Sequence, residues 1–387
     1  MNLAYLVAGL AYGDEGKGSV VDYLVRTTGA RLVVRYNGGP QAAHNVVTKE
    51  GRHHTFAQFG SGSFVPGVKT YLSRFMLVEP YALMNELIVL QNTLGNSRTI
   101  DKLVIEEGCP IITPWHWAAN RERERRRGAD RHGSCGFGVG ELRQDQTEGK
   151  VVLTAGHLKH WNRDVVYASL QAIRYLKNKQ LGLDSANKLH TESLEDVMTF
   201  YEWFGKQVEI VPNGTLSQLI DGPVVFEGAQ GMLLDETHGF QPYTTWTDIT
   251  YANAMKLLDG VSNVSPYKIG VLRSYMTRHG AGPFEGESPY IKFPDHNSTG
   301  EWQGAFRFGY LHIPHVKYAL QCIGGVDGIA LTHLDQTSDN VIVHQKELGR
   351  DGLLMPYQEL EEKVGSLIVL ESRGQTAEDK LMPVLIG

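Results

Sequence analysis

Apolar residues recur along this chain in two rhythms, which sort it into strands and helices. Leu3 to Gly9, Ala30 to Tyr36, Pro223 to Phe226, Tyr267 to Leu272 and Ile329 to Leu334 are short, nearly continuous apolar runs, the pattern of strands buried on both faces. Ser19 to Arg26, Phe75 to Leu94, Val165 to Lys177 and Glu192 to Lys206 are helical in spacing instead, with Pro80 suited to a first turn. Strand, helix and strand in succession at the start predict a βαβ unit and with it a parallel sheet. The expected fold is α/β: one large domain over residues 1–387 with loop insertions, its central sheet mostly parallel and flanked by helices. Ligands of such sheets sit at the carboxyl ends of the strands, so the residues that follow each run matter most.

After the first run comes Gly9-Leu-Ala-Tyr-Gly-Asp-Glu-Gly-Lys-Gly-Ser19. Glycines let the backbone approach an anion, a helix N-terminus offers free N–H groups, and Lys17 adds a full positive charge. This is a P-loop-NTPase-like phosphate loop at the first βα junction, although not a Walker A loop: Ala11 stands where that pattern has its first glycine, and Gly18 follows the lysine. Asp14 and Glu15 beside a phosphate call for a cation or a proton transfer. Other strand ends are similar. Gly38-Gly39-Pro40 leads to His44, Phe226 runs into Glu227-Gly-Ala-Gln-Gly231, and the Ile329 strand ends on Thr332, His333 and Asp335. Asn120 to Arg127 (NRERERRR) reads as a solvated helix face, and Gly128 to Gly140, with five glycines, as a loop.

Composition narrows the class. With 387 residues and 42% hydrophobic content the chain can bury a large core, and a net charge of −6 argues against nucleic acid or an anionic membrane as a partner. No run approaches eighteen apolar residues and no signal-peptide pattern opens the chain, so a cytoplasmic protein is expected. Cys109, Cys135 and Cys322 form neither a CxxC pair nor a disulfide framework.

Several stretches then match one family in order. GDEGKG (Gly13 to Gly18) resembles the signature loop of adenylosuccinate synthetase, and RYNGGPQAAHNVV (Arg35 to Val47) resembles that family's RYxGGxNAGHTxV. GSCGFGVG (Gly133 to Gly140) is similar to its GTTGRGIGP, and FEGAQGMLLD (Phe226 to Asp235) to its FEGAQGxLLD. RSYMTRHGAGPF (Arg273 to Phe284) resembles KxYxTRVGxGPF, LTHLD (Leu331 to Asp335) resembles TKLD, and the likeness extends to Ser372-Arg-Gly374.

The resemblance implies GTP-dependent joining of aspartate to IMP through a 6-phosphoryl purine, with Mg2+. It implies Asp14 as the base, His44 as the acid, and Lys17 and Gln230 at the transferring phosphoryl. GTP would lie against Gly13, Glu15, Gly16, Lys17, Gly18, Ser19, His333, Asp335, Ser372 and Gly374. A carboxylate at Asp335 can accept from guanine N1–H and its 2-amino group together, which favours GTP over ATP. The purine nucleotide would meet Asp14, Gln41, Ser134, Cys135, Gln230 and Thr245, and Mg2+ would take Asp14 and the Ala43 carbonyl. The amino donor would meet Thr299, Gly300 and Arg307. A homodimer is implied as well, with Arg143 the candidate for an arginine shared across it.

The chain also departs from the family. Gln41, Cys135 and His333 replace an asparagine, a threonine and a lysine, and Ser298 to Arg307 (STGEWQGAFR) stands where the family has an arginine-rich TTGRRRR. Glu301 there has the wrong sign for a dicarboxylate. Two alternatives therefore stand beside the main reading: a paralogue acting on a 2-amino-purine (GMP- or dGMP-like) nucleotide or using another amino donor, and a guanine-nucleotide sensor without catalysis.

Overall fold

The structure is a computed structural model that describes residues 2–95, 99–184, 188–189, 191–297, 299–344 and 352–382. Strand β1 (Asn2–Gly9) leads through the glycine loop to helix α1 (Lys17–Thr28) and strand β2 (Leu32–Arg35). The hairpin β3 (His44–Val47) and β4 (His53–Phe56) follows, and then β5 (Lys69–Leu72), β6 (Leu103–Glu106), β7 (Glu209–Val211) and β8 (Val224–Gly231). Next come β9 (Val264–Arg273), the pair β10 (Met276–His279) and β11 (Phe306–Gly309), and β12 (Gly328–Thr332). The chain closes with the pair β13 (Asn340–His344) and β14 (Gly352–Pro356), then β15 (Ile368–Ser372) and β16 (Lys380–Leu381).

Ten of these strands form one sheet in the order β16-β15-β12-β9-β1-β8-β2-β5-β6-β7. Every pairing in it is parallel except β15 with β16. The α/β expectation with a mostly parallel central sheet is thus met, and β1 sits in the middle, in register with β9 along its whole length. Successive residues of β1 serve opposite faces. Leu6 and Ala8 pack with Val34 and Phe226, whereas Tyr5 and Val7 pack with Val33, Val225 and the α1 residues Val20, Val21 and Leu24. A further core joins β5 and β6 to α2 (Pro80–Leu94), α3 (Pro114–Arg127), α6 (Arg163–Gln180) and α7 (Leu194–Gln207); the short α4 (Val139–Thr147) and α5 (Ala155–Lys159) lie between them in sequence.

The differences from the periodicity are local and have causes. Helix α2 starts at Pro80 rather than Phe75 because the Glu79 carboxylate caps it, accepting from Ala82 N–H at 2.5 Å. The NRERERRR run is the second half of α3. Glu122 there pairs outward with Arg125 and Arg126, but Glu124 is buried against Arg127, so only part of that face is solvated. The Gly128 to Gly140 stretch is a loop only up to Gly138, after which α4 begins. The strand expected to stop at Phe226 continues to Gly231, and between Val7 and Gly9 the pairing of β1 with β8 slips so that Gly228, Ala229 and Gln230 bulge out. β12 ends at Thr332 because His333 takes a left-handed backbone, φ 63°.

Gly18 shows how tightly α1 is seated. A Cβ there would lie 2.8 Å from the His44 Cβ and 3.1 Å from the His44 carbonyl carbon. Alanine improves helix propensity by about 1 kcal/mol, but overpacking a close contact costs roughly 1–3 kcal/mol. Gly18→Ala is therefore expected to lower unfolding stability in urea and to reduce activity by displacing His44; a variant as stable and as active as the wild type would show that the two elements separate freely.

Candidate active site

The first loop is built around the Glu15 side chain. Its carboxylate is 1% exposed, accepts from the Ala11 and Gly13 N–H groups at 3.1 and 2.8 Å, and pairs with Lys17 Nζ at 2.5 Å. Two other strand ends are fastened to the same loop: Thr332 Oγ1 donates to the Glu15 carbonyl at 2.7 Å, and Arg273 Nε donates to the Asp14 carbonyl at 2.5 Å.

Above this loop opens a cavity of about 390 Å3. Its wall includes Gly13, Asp14, Gly16, Lys17, Gly18 and Ser19 from the loop and helix start, and Gln41, Ala43 and His44 from the second motif. Gln230, His333, Asp335, Ser372 and Gly374 complete the predicted residues that the fold brings together there. Asp14, Gln230 and His333 all have positive φ (57°, 65° and 63°), each beyond or at the carboxyl end of a parallel strand. Left-handed backbone at non-glycine residues is costly and gathers at functional sites.

Charge in the cavity is arranged in pairs. Burial holds the Asp14 carboxyl above its usual range, against the pull of Arg273, Lys17 and His279. His44 Nδ1 lies 2.6 Å from Glu227 Oε1, and Glu227 also accepts from Ser61 N–H at 2.9 Å and from the Ser61 hydroxyl. The carboxylate fixes Nδ1 as the protonated nitrogen and leaves Nε2 to address the cavity. Burial alone would raise the Glu227 carboxyl, yet the His44 hydrogen bond and the Arg35 charge outweigh it and hold the group at about 2. Burial pulls the His44 ring below its usual value, and Glu227 opposes that pull. Burial, followed by the Arg273 and Lys380 charges, keeps His333 neutral at physiological pH.

Other predicted residues lie outside the cavity wall. The Glu15 side chain is consumed inside the loop, because a buried carboxylate needs the donors it has found there. Ser134 donates to Asn120 Oδ1 at 2.8 Å. The half-buried Cys135 thiol lies near enough to Asp14 that desolvation first, and that carboxylate second, push it up to about 12. Thr245 is tied through its N–H to the Leu234 carbonyl at 2.8 Å, and Thr299 is exposed. Gly300 bridges to Gly304, 3.8 Å from His279 Nε2 measured at its Cβ position. Arg307 is committed elsewhere: its guanidinium donates to Glu287 at 2.6 Å and to the Gly280 and Gly282 carbonyls at 3.0 and 2.8 Å.

Four wall or support residues escaped the sequence reading, namely Arg273, His279, Glu227 and Arg35. All lie within motifs recognised as strings, but nothing in a string says which side chains turn toward the cavity. Among the described residues, His279 Nε2 and both ends of the Gln41 amide are buried in this cavity without a hydrogen-bond partner. Buried polar groups left unmatched in a concave site point to a polar ligand.

The family model described as adenylosuccinate synthetase matches residues 6–344. The chain belongs to the adenylosuccinate synthetase family. It is 31% identical over 345 residues to the adenylosuccinate synthetase of Shewanella piezotolerans, covering 85% of this chain and 76% of that one. Identity to the Shewanella amazonensis protein of the same name is 32% over 342 residues, with the same shares covered. Among solved structures, fully ligated adenylosuccinate synthetase from Plasmodium falciparum gives a TM-score of 0.78 at 19% identity, over 98% of this chain and 100% of that one. The succinoaminodeoxyadenylate synthetase of cyanophage S-2L gives 0.59 at 16%, over 99% and 96%. At these identities the structural likeness concerns the fold. Adenylosuccinate synthetase family membership makes the chain a carbon–nitrogen ligase of purine biosynthesis, a GTP-dependent enzyme that joins aspartate to a purine nucleotide. Among the described residues no helix is long and apolar enough to cross a membrane.

The Glu227–His44 pair yields a test. Replacing the carboxylate in Glu227→Gln removes what opposes burial at His44, so the ring's pKa falls further and less of it is protonated at neutral pH. The kcat optimum of Glu227→Gln is expected to move to lower pH and kcat at neutral pH to fall by ~10²-fold, the lower end for an acid–base step. A profile reduced in height but unmoved along pH would make Glu227 merely structural.

Proposed function

We propose that this enzyme joins L-aspartate to C6 of IMP using GTP, through a 6-phosphoryl intermediate, and releases adenylosuccinate, GDP and phosphate. The observation that carries the reading is the pair of opposite acid–base characters in one cavity: a half-buried carboxyl raised by desolvation at Asp14 and a carboxylate-backed imidazole at His44. Asp14 takes the N1 proton, and O6 attacks the γ-phosphorus as the bond to the β,γ-bridging oxygen breaks. Lys17 and His44, in the protonated form that Glu227 favours against burial, neutralise charge gathering on the phosphoryl oxygens, and Gln230 meets the purine edge. The aspartate amine then adds at C6 and phosphate departs with the O6 oxygen. Asp335, exposed at the cavity rim, accepts from guanine, with His333, Ser372 and Gly374 around the same base. Ser134, Cys135 and Thr245 stand on the nucleotide side.

The donor set fits a hard cation. Asp14 supplies a carboxylate and Ala43 lines the same cavity, so Asp14 and the Ala43 carbonyl would hold Mg2+, which supplies charge neutralisation at the phosphates when bound. On the donor side, Thr299 and Gly300 remain the reading, with the His279 ring beside Gly300 and Arg307 acting through the turn it grips. Arg143, bonded to the Trp246 carbonyl, is the side chain offered to a second copy in a homodimer. A second reading keeps this chemistry but changes the acceptor or the donor. It is favoured by the commitment of Arg307 and by Glu301, and the cyanophage relative is itself described with dGMP and with dATP as energy donor.

Initial rates of phosphate release with IMP, GMP and dGMP against aspartate, asparagine, glutamate and lysine, with GTP or ATP, separate the two. IMP with aspartate and GTP is expected to be fastest; a preference for dGMP or for a neutral amine installs the second reading. Asp14→Asn is expected to cut kcat at least ~10²-fold while nucleotide binding persists, and near-normal turnover would remove Asp14 from the role of base. His279→Ala is expected to raise the aspartate KM about ten- to a hundredfold, the worth of one hydrogen bond to a charged group, with the GTP KM unchanged. Equal shifts in both constants would deny His279 a place at the donor.

A further inference from the structure

A second cluster of ligating side chains lies apart from the nucleotide cavity, where three segments meet. Glu285 follows the turn after β10, His312 stands at the N-cap position of the Ile313–Cys322 helix, and His344 ends β13. One carboxylate oxygen of Glu285 and one ring nitrogen from each histidine all lie within 4.8 Å of one another. None of the three lines the cavity that holds Asp14 and His44.

The backbone beneath this cluster is fastened. Leu311 N–H donates to the Ile342 carbonyl at 2.6 Å and His344 N–H to the Leu311 carbonyl at 3.0 Å, which holds the two histidines side by side with ring centres 5.7 Å apart. On the third side, Arg278 donates to the Pro283 carbonyl and Arg307 to the Gly282 carbonyl, both at 2.8 Å, so the turn that delivers Glu285 is gripped at two points. His315, one helical turn beyond His312, places its ring 4.2 Å from it, and the His315 Nδ1 is buried with no hydrogen-bond partner among the described residues.

We propose that Glu285, His312 and His344 form a binding site for a divalent transition metal of the Zn2+ class, separate from the Mg2+ of catalysis. Two imidazoles and one carboxylate are the donor types that such borderline ions prefer, whereas Mg2+ and Ca2+ select oxygen alone. Ligand atoms bound to tetrahedral Zn2+ at 2.0–2.1 Å lie about 3.4 Å from each other, so small side-chain rotations close the present arrangement around an ion. The fourth position falls to water or to His315. The metal would tie the turn at Gly280 to Gly286 to the helix and to β13. That turn adjoins His279 and packs on the Gly133 loop, where a Cβ on Gly133 would lie 3.0 Å from Ala281 N, so the ion would stiffen one wall of the active site without entering it.

The test uses the full-length protein stripped with chelator and kept in excess Mg2+, so that the catalytic cation is present throughout. Titration with Co2+ is expected to give a visible tetrahedral d–d absorption that saturates at one equivalent, is displaced by Zn2+, and raises the thermal midpoint. His344→Ala and Glu285→Gln should each weaken Co2+ affinity at least about tenfold, given that even outer-shell partners of a metal are worth that much, while both keep ligase activity in Mg2+. If His344→Ala fails to fold, the near-isosteric Glu285→Gln decides alone. Absence of stoichiometric Co2+ absorption in the wild type, or absorption undiminished in both variants, overturns the site and leaves the cluster as an ion pair.

Discussion

A single buried carboxylate, that of Glu15, sets the geometry on which the active site depends. A carboxylate that is 1% exposed is tolerable only if donors surround it, and the donors available are two loop N–H groups and the Lys17 ammonium. Meeting that demand winds the loop into its shape. It also dictates glycine on both adjoining strands, since a Cβ at Gly9 or Gly231 would lie 2.3 or 2.5 Å from a Glu15 carboxylate oxygen. Lys17 is thereby fixed in place by the loop itself, so little of its side-chain entropy remains to be lost on meeting a ligand.

The parallel sheet multiplies this effect. Because β1, β8, β9 and β12 run the same way, their carboxyl ends converge, and Thr332 and Arg273 latch the ends of β12 and β9 onto the loop made by β1. Left-handed residues at Asp14, Gln230 and His333 then turn the chain sharply at the point where it leaves regular structure. The energy stored in those turns, about 1–3 kcal/mol each, is sustained by the latches and the central strands. In exchange the side chains of three separate strand ends are aimed at one volume.

The wall around the turn after β10 is organised by a different logic. Arg278 and Arg307 point their guanidinium groups at backbone carbonyls of the turn after β10, while Arg121 and Arg131 lie over Trp302. Much of the positive charge around this turn is thus spent on shaping loops, while His279 lines the cavity.

The fold class and the phosphate loop were legible in the chain alone, because burial on both faces imposes continuous apolar runs and a phosphate cradle imposes glycines. The short strands β5, β6 and β7 were not, since three or four residues carry too little periodicity to separate from loop. Ordered motifs likewise pointed to Asp14, Lys17, His44 and Gln230 as one group, and the cavity does gather them. What a string cannot encode is direction and partnership. Only the tertiary structure turned Glu15 inward, spent Arg307 on a turn, set Glu227 behind His44 across 183 residues of chain and left His279 facing the cavity, because each depends on which distant group satisfies a buried charge first.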